Sequence, residues 1–458
     1  MTTILKNNFL YSNNTALKDD LGNSVTYSEL FSESKRLISN IEQRSLMIIL
    51  CDHSFETTKM IFKSLATNCV PLLFSSDIKN TFLKKVINIY HPKYLWCKKT
   101  RVSERIYPII FEDDAYFLLE INKDKAELDK NLALLLSTSG STGSSKLVKI
   151  SYENLYDNVK HSSAHYGICE NQKGITPLPF HHTFGLSFCF WHWYCGATLL
   201  ITDKPIISKN FNHFFTQEQA NNFAALPSTF QALNKVNFWS KEKLSHLHIA
   251  MSGGAQISDE LQQELISLLS DKFWISYGQT EATCIITATN FKTDNLKLGT
   301  VGKPLQNIKI YTDKKNGELI SESKSVAMGY ALSRADLSKG NTNNNLLRTG
   351  DAAVIDKDGY VYLKGRLNRY IKILGNRISL DEVQSVLQSV FLNYEFACVG
   401  SENKIMVYYS SPEKKDITEK LIIELHKLHI PRKFIAICCL PQLPKNKTGK
   451  LIYSALTI

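Results

Sequence analysis

The sequence has ten cysteines, but it contains no Cys-x-x-Cys pair and no cluster of cysteine with histidine. This spacing excludes the common structural zinc motifs, and in a chain of 458 residues it favours reduced, buried thiols. The amino-terminal residues, "MTTILKNNFLYSNN", also lack the basic start and apolar run of a secretory signal. We therefore expect a cytoplasmic protein without structural zinc.

Long apolar runs and blocks of like charge are also absent. The most apolar longer stretch, residues 186–201, contains His192 and is too short for a membrane span. The net charge of +11 comes mostly from scattered lysines, and aromatic residues are not interleaved with arginines. We expect neither a membrane span nor a nucleic-acid partner. The length alone suggests roughly two to three domains.

One segment is dense in hydroxyls and glycines: "LLLSTSGSTGSSKLVKIS", residues 134–151. Small donors beside Lys146 are typical of a phosphate-binding loop, but the Walker pattern requires Gly before the lysine and Ser or Thr after it. Ser145 and Leu147 stand there instead. The alternation after the loop predicts a second strand, so the loop joins two strands and does not open a helix. Taken alone, the segment is either a phosphate loop or a flexible Ser/Gly-rich turn.

Strands and helices alternate through about the first three hundred residues. "SLMIILC" and "CVPLLF" have the pattern of buried strands, and "SDELQQELISLLS" predicts an amphipathic helix capped by Ser258. Shorter alternating runs follow, including a predicted hairpin around Asp358 and Gly359. The pattern predicts a doubly wound α/β fold, in which ligands bind beyond the carboxyl ends of the strands.

Three further segments place polar side chains at such positions. "FWISYGQTEAT", residues 273–283, exposes Glu281 at a strand's end, where a carboxylate suits a magnesium ion that bridges phosphates. "LRTGD" ends in Asp351, which could accept both hydroxyls of a ribose, and "LPKNKTGKL" carries Lys450. Each has an ordinary alternative as a turn former or a solvated side chain.

In chain order, "STSGSTGSSK", "YGQTEA", "RTGD", "GRLNRYIKILGNRI" and "LPKNKTGK" resemble the motifs of the adenylate-forming superfamily. That superfamily includes acyl-CoA synthetases, nonribosomal-peptide adenylation domains and firefly luciferase. "TYSEL" and "MSGGAQIS" also stand in family order, so the resemblance covers nearly the whole chain. It implies a large domain of doubly wound sheets with a small β-barrel part, residues 1–366. A small mobile α+β domain, residues 367–458, would follow.

The resemblance further implies a two-step reaction. A carboxylate attacks the α-phosphate of ATP to give an acyl-adenylate and pyrophosphate, and a thiol of CoA or of a carrier protein's phosphopantetheine then takes the acyl group. Glu281 would bind Mg²⁺. The implied nucleotide-binding residues are Thr138, Ser139, Gly140, Ser141, Thr142, Gly143 and Lys146 in the phosphate loop, Thr280 at the α-phosphate, Gly254, Ala255, Tyr277 and Gly278 around adenine, and Asp351 and Arg366 at the ribose.

Two lysines of the small domain have implied roles in different steps. Lys450 resembles the family's catalytic lysine, which places its charge between the carboxylate and the α-phosphate. Lys372 and Gly375 belong to the face that the family presents for the thiol step. The hinge position in "GRLN" is Asn368, where the family usually has Asp or Lys, so the energetics of domain rotation are expected to differ.

The stretch "PLPFHHTFGLSFCFWHWYCG", residues 177–196, resembles the family's acid-binding segment, with His182 at the family's gating position. Peptide-synthetase domains hold the substrate ammonium with an aspartate here, but residues 180–190 contain none. A buried ammonium without a counter-charge is costly, so we expect an acid other than an α-amino acid. The aromatic residues favour a core role over a pocket. A non-catalytic nucleotide- or acyl-binding relative, acting as a sensor or scaffold, is the alternative to an acid–thiol ligase.

Overall fold

The structure is a computed structural model that describes residues 5, 11–102, 107–137, 146–291, 297–374, 376–401, 403–411, 413, 415–428, 430–446, 449 and 451–457. Within these residues the helices are α1 (Tyr27–Ile38), α2 (Phe55–Ala66), α3 (Asn80–Tyr90), α4 (Tyr152–Tyr166), α5 (Thr183–Cys195), α6 (Lys209–Gln217), α7 (Pro227–Lys235), α8 (Lys241–His246), α9 (Asp259–Leu269), α10 (Leu380–Val390) and α11 (Thr418–Lys427). None of these helices is long and apolar enough to cross a membrane.

The strands fall into two groups along the chain. The first group is β1 (Thr15–Asp19), β2 (Ser24–Thr26), β3 (Leu46–Cys51), β4 (Val70–Ser75), β5 (Tyr94–Lys98), β6 (Ile109–Glu112), β7 (Tyr116–Glu120), β8 (Leu132–Ser137), β9 (Leu147–Ser151), β10 (Lys173–Ile175), β11 (Thr198–Ile201), β12 (Asn222–Ala225), β13 (Ile249–Gly253), β14 (Phe273–Gln279) and β15 (Cys284–Asn290). The second is β16 (Lys303–Pro304), β17 (Lys309–Thr312), β18 (Glu318–Glu322), β19 (Gly329–Ala331), β20 (Leu346–Ile355), β21 (Val361–Arg366), β22 (Tyr370–Ile373), β23 (Asn376–Ser379), β24 (Phe396–Ser401), β25 (Lys404–Ser410) and β26 (Ile435–Leu440).

Two large sheets carry the fold. One has nine strands in the order β16-β15-β14-β13-β12-β10-β11-β1-β2, and the other has eight in the order β19-β9-β8-β4-β3-β5-β7-β6. In the first sheet the strands from β14 through β13, β12, β10 and β11 to β1 are parallel. In the second, β8, β4, β3 and β5 are parallel, and the strands at both edges of each sheet pair antiparallel. The predicted α/β fold is confirmed, because apolar strands such as β3 are buried on both faces.

Smaller sheets follow the two large ones. The region predicted as a small barrel is a four-stranded antiparallel sheet, β17-β18-β20-β21, which includes the predicted hairpin between β20 and β21. Beyond it, β22-β23 and β24-β25-β26 pack with α10 and α11. This last part has an apolar cluster of its own, which includes Leu387, Val407 and Leu425.

Helix α5 forms the aromatic centre of the large part. Its sequence, "TFGLSFCFWHWYC", is apolar on all sides, and every residue from Phe184 to Trp193 is buried. Trp193 meets Phe62 of α2 edge to face, with ring centroids 5.3 Å apart. The expectation that these aromatic residues serve mainly as core is met, because α5 contacts α4 and strands β10, β11 and β15.

His192 is a polar group at the centre of this apolar helix. Its Nδ1 lies 2.7 Å from the carbonyl oxygen of Phe188, and its Nε2 lies 3.0 Å from Asn222 Nδ2. Since the carbonyl must accept and the amide must donate, the ring is neutral with its proton on Nδ1. Gly174 makes room for the ring, because a Cβ there would lie 2.3 Å from Nε2. Burial lowers the pKa of His192 to about 4.

This lowered pKa predicts acid sensitivity. Between pH about 6.5, where the histidine of the unfolded chain takes up a proton, and pH about 4, the unfolded state binds one more proton than the native state. The free energy of unfolding should therefore fall with falling pH in this window, with up to about 1.4 kcal/mol per pH unit contributed by His192. In His192→Gln, urea unfolding at pH 8, 6 and 5 should show a flatter pH dependence, in addition to any loss already present at pH 8. An unchanged slope would contradict the assignment.

Candidate active site

The hydroxyl-rich loop joins two antiparallel strands. Ser137 at the end of β8 pairs with Leu147 at the start of β9, so the predicted strand-to-strand setting is confirmed. Residues 138–143, predicted to hold phosphates, lie outside the described residues. Lys146 is described, and its Nζ lies 3.3 Å from the ring centroid of Tyr330, over the ring face.

Glu281 lies in a short 3₁₀ turn, Thr280–Ala282, directly after β14. The hydroxyl of Tyr330 donates to Glu281 Oε1 at 3.0 Å. Burial, followed by the charge of Glu281, raises the pKa of Tyr330, so the phenol stays a donor at neutral pH. The backbone of the turn is fixed on its other side, because the Ala327 N–H donates to the Glu281 carbonyl at 2.9 Å.

The turn stores backbone strain. Thr283 and Cys284, which follow it, have φ values of 55° and 118°, and the second lies in a region that non-glycine residues rarely adopt. Gly278 is required on the other side, since a Cβ there would lie 1.6 Å from the Cys284 carbonyl oxygen. The Thr283 hydroxyl helps to hold the conformation by donating to the Ser325 carbonyl at 2.6 Å. Thr280 and Glu281 are thereby positioned at the carboxyl end of β14.

Asp351 is a buried carboxylate with two partners. The Tyr277 hydroxyl donates to its Oδ2 at 2.6 Å, and Arg366 Nε lies 2.8 Å from its Oδ1. Asp351 and Arg366 are directly opposite in the β20–β21 ladder, whereas Tyr277 comes from β14 of the nine-stranded sheet. Burial, followed by the nearby Asp351 charge, raises the pKa of Tyr277 and keeps its hydroxyl protonated.

The two clusters adjoin each other. Gln279, two residues before Glu281, donates to the Tyr277 hydroxyl at 3.4 Å, and Tyr277 in turn donates to Asp351. Gln279, between Tyr277 and the Glu281 turn, donates to the Thr349 carbonyl at 3.2 Å. The structure therefore brings four of the predicted residues, Asp351, Arg366, Glu281 and Lys146, to one edge, with Tyr330 between Glu281 and Lys146.

The end of β13 forms the neighbouring wall. Gly253 is buried against Phe184 of α5, where a Cβ would lie 3.2 Å from the ring. Gly254 follows with a φ of 76°, and a Cβ there would lie 3.1 Å from Leu226. Gly254 and Ala255 are exposed, as a surface that receives a planar ring requires.

Histidines line the beginning of α5. His182 is the N-cap residue of α5 and is half-buried, and its ring centroid lies 4.4 Å from that of His181. Burial, and then the neighbouring His182 and His53, lowers the pKa of His181 to about 3. Nδ1 of His181 is buried and has no hydrogen-bond partner among the described residues. The His181 ring therefore supplies a neutral polar atom and no positive charge at neutral pH.

The chain after β21 contacts the large part at several points. The Arg366 N–H donates to Asp381 Oδ2 of α10 at 2.9 Å, and Asp381 also pairs with Arg369, just after Asn368. A Cβ on Gly449 would lie 3.9 Å from Ser228 Oγ at the start of α7. Of the residues predicted in the small domain, Lys372 is exposed on β22. Gly375 and Lys450 lie outside the described residues.

The residues present fit a magnesium ion held mainly by a nucleotide. The described residues contain no group of three or more acidic, histidine or cysteine side chains that could hold a metal by themselves. Mg²⁺ typically takes one or two carboxylates and completes its shell with phosphate oxygens and water. Glu281, fixed by Tyr330 at the end of β14, provides one such carboxylate.

Sequence analysis missed Tyr330, His53 and Asp381. Tyr330 lies in "AMGYAL", whose apolar pattern gives no sign of a contact with Glu281, 49 positions away. His53 follows β3 and reaches the Leu178 carbonyl at 2.9 Å, a contact that only the packing of the two large sheets creates. Asp381 reads as an ordinary acidic residue in the first turn of α10.

Comparison with known proteins identifies the family. A model of the AMP-binding enzyme family matches residues 7–331, which is more than half of the chain. The protein therefore belongs to the AMP-binding enzyme family.

Its similar relatives include ligases that use different acceptors. The chain is 25% identical to 2-succinylbenzoate–CoA ligase of Bacillus subtilis (strain 168), covering 94% of this chain and 93% of the relative. It is 24% identical to D-alanine–D-alanyl carrier protein ligase of Staphylococcus aureus (strain MRSA252), covering 93% and 92%.

Solved structures share the fold at lower identity. O-succinylbenzoate coenzyme A synthetase from B. subtilis, in complex with ATP and magnesium ion, has a TM-score of 0.80 at 20% identity and covers 99% of this chain and 98% of its own. ATP-bound MatB from Rhodopseudomonas palustris has a TM-score of 0.80 at 17% identity, with the same coverage.

The paired carboxylate of Asp351 generates a binding prediction. Asp351→Ala should weaken AMP binding by about 1.5–3 kcal/mol, or about 10- to 150-fold, because the ribose hydroxyls lose an ionised acceptor. Isothermal titration calorimetry measures this directly. The control is Asp358→Ala, which removes a half-exposed carboxylate from the turn of the same hairpin and should leave AMP affinity unchanged. Equal affinities for both variants and wild type would make Asp351 a turn residue only.

Proposed function

We propose that this enzyme activates a carboxylic acid with ATP to an acyl-adenylate, releases pyrophosphate, and transfers the acyl group to a thiol of CoA or of a carrier protein. The observation that carries the proposal is the contiguous edge formed by Asp351, Arg366, Tyr330, Glu281 and Lys146. It offers an acceptor for a ribose, a carboxylate for a metal and a cation for phosphates, which are the partners that a nucleoside triphosphate and its metal need. The named relatives act on acids with CoA or a carrier protein.

The chemistry needs these groups because a carboxylate is a poor electrophile until one of its oxygens becomes part of a good leaving group. Asp351 accepts hydrogen bonds from the ribose hydroxyls, and Tyr277, Gly254 and Ala255 flank the adenine. Thr280 donates to the α-phosphate, and Lys146 pairs with the β- and γ-phosphates together with residues 138–143. Glu281 would hold Mg²⁺, which would supply positive charge beside the phosphates.

Lys450 completes the first step in this proposal. A fixed cation between the attacking carboxylate and the α-phosphate stabilises the charge that develops there. The described neighbour Gly449 lies against Ser228 at the start of α7, close to the wall formed by Leu226 and Gly254. This position supports an approach of the Lys450 loop to the large part. Lys372, exposed on β22, would serve the thiol step after residues 367–458 rotate as a domain against residues 1–366.

The acid is proposed to lack an α-ammonium group. Phe184 and Gly253 form an apolar wall, and two histidines near the start of α5, His53 and His181, have pKa values that burial lowers. Neutral imidazoles do not compensate a buried ammonium, which would then carry its full desolvation cost. His182, at the start of α5, is proposed to gate this acid site.

An enzyme is favoured over a non-catalytic sensor or scaffold. The chain retains Glu281, Asp351, Arg366 and Lys450, and a pure binder has no use for the lysine.

A cytoplasmic location is also part of the proposal. It is supported by the ten free cysteines, of which six are buried.

Acid-dependent exchange of pyrophosphate into ATP tests the reaction. With Mg²⁺, the isolated protein should catalyse exchange with at least one member of a panel of fatty, aryl and small carboxylic acids. Exchange should not be highest with α-amino acids, since residues 180–190 contain no aspartate to pair with their ammonium. Silence across the panel would favour the sensor or scaffold, and a preferred α-amino acid would overturn the proposed acid class.

Separate assays of the two half-reactions test the lysines. Lys450→Ala should slow adenylation by about 3–4 kcal/mol in transition-state energy, or two to three orders of magnitude, while ATP binding and transfer from a pre-formed acyl-adenylate survive. Lys372→Ala should show the reverse pattern, because its face is used only in the thiol step. If both variants lost both steps equally, the proposed domain rotation would be wrong.

A further inference from the structure

Tyr330 connects two groups to which the proposed reaction gives separate tasks. Its short strand, β19, is antiparallel to β9, and Tyr330 pairs with Val148, two residues after Lys146. Its side chain extends to the turn after β14, so one residue of the eight-stranded sheet meets the nine-stranded sheet at the metal carboxylate. The preceding Gly329 allows β19 to pack closely against Thr342, because a Cβ at position 329 would lie 2.2 Å from Thr342 Oγ1.

The two ends of the Tyr330 side chain make different contacts. The hydroxyl donates to Glu281 Oε1 at 3.0 Å, which fixes the direction of that carboxylate. The ring face receives the ammonium of Lys146, with Nζ 3.3 Å from the centroid. A cation at this distance from an aromatic face is attracted by the ring's negative face. The opposite charges of Lys146 and Glu281 are thus held by one side chain.

We propose that Tyr330 is a positioning residue for the first half-reaction: its hydroxyl presents Glu281 to the metal, and its ring seats Lys146 beside the phosphates. The inference rests on the proposed function. A hydrogen bond to a metal carboxylate fixes the oxygen that faces the ion, and partners of this kind typically affect metal affinity about 10- to 100-fold. The ring limits the positions of a long, flexible lysine before the nucleotide arrives, so less ordering is needed on binding.

Two substitutions separate the tasks. Tyr330→Phe removes the hydroxyl and keeps the ring, whereas Tyr330→Leu removes both. The chain also offers a matched control in Tyr311→Phe. Tyr311 is 37% exposed, as against 38% for Tyr330, and it also donates to a glutamate, Glu322, and stacks beside a lysine, Lys309. The control triad lies on β17 and β18 and contains none of the proposed site residues.

The probes are AMP alone, which tests the ribose site, and Mn²⁺ with a non-hydrolysable ATP analogue, followed by electron paramagnetic resonance. Tyr330→Phe should weaken Mn²⁺ binding about tenfold or more, with AMP affinity unchanged. Tyr330→Leu should weaken Mn²⁺ binding to the same extent and should, in addition, weaken metal-free binding of the analogue relative to AMP. Tyr311→Phe should match wild type in all three measurements.

Each contrary outcome has a distinct meaning. Wild-type Mn²⁺ affinity in Tyr330→Phe would overturn the role of the hydroxyl. Equal analogue-to-AMP affinity ratios in the Phe and Leu variants would overturn the role of the ring. Loss of AMP binding in both variants would show that Tyr330 supports the fold alone. If wild type itself bound no Mn²⁺ with the analogue, the proposed function would fail at its metal site. That result is distinct from a failure of the Tyr330 proposal, which appears only as a difference between variants and wild type.

Discussion

The buried carboxylate of Asp351 is the charge on which the arrangement of the site depends. A carboxylate that is almost fully removed from water is tolerated only when it is paired and hydrogen-bonded. Its two partners come from different parts of the fold: Tyr277 from β14 and Arg366 from the opposing strand of its own hairpin. The four-stranded sheet is therefore fixed to the nine-stranded sheet at the point where a ribose would bind. The acceptor is oriented before any ligand arrives, which is the condition for binding without reorganisation.

The site also depends on the large sheets, because the ends of several strands meet at one edge. β13 and β14 are parallel neighbours, so Gly254 and the Glu281 turn emerge at the same edge. The strained backbone at Thr283 and Cys284 persists because hydrogen bonds from Ala327 and Thr283 over-determine the turn. Helix α5 fills the space behind this edge with aromatic rings, so the polar groups stand in front of a rigid wall.

The sequence was informative where the signal is local. Helix α9 begins with the predicted cap, since the Ser258 side chain accepts from the Leu261 N–H, and the loop before Leu147 joins two strands as its alternation indicated. The ordered motifs, through their resemblance to a family, also predicted Asp351, Arg366 and Glu281 as site residues, and their roles are still predictions.

The remaining contacts could not be predicted because they depend on tertiary register. Tyr330 reaches Glu281 only because β19 adds to the edge of the eight-stranded sheet beside β9, and a tyrosine in a three-residue strand carries no mark of that contact. Asp381 similarly becomes significant only through the fold of the chain around Arg366. The roles of Lys450 and Lys372 are still predictions from family order.

Arg366 makes two interactions with different parts of the chain. Its guanidinium pairs with Asp351, and its backbone N–H donates to Asp381 of α10. Gly365 beside it leaves no room for a side chain, since a Cβ would lie 2.9 Å from Asp381 Oδ2. A rotation about residues 367–369 that withdrew α10 would break the backbone hydrogen bond of Arg366, whose side chain pairs with Asp351. Under the proposed function, nucleotide affinity and domain orientation would then form a thermodynamic cycle, in which each changes the other by the same factor.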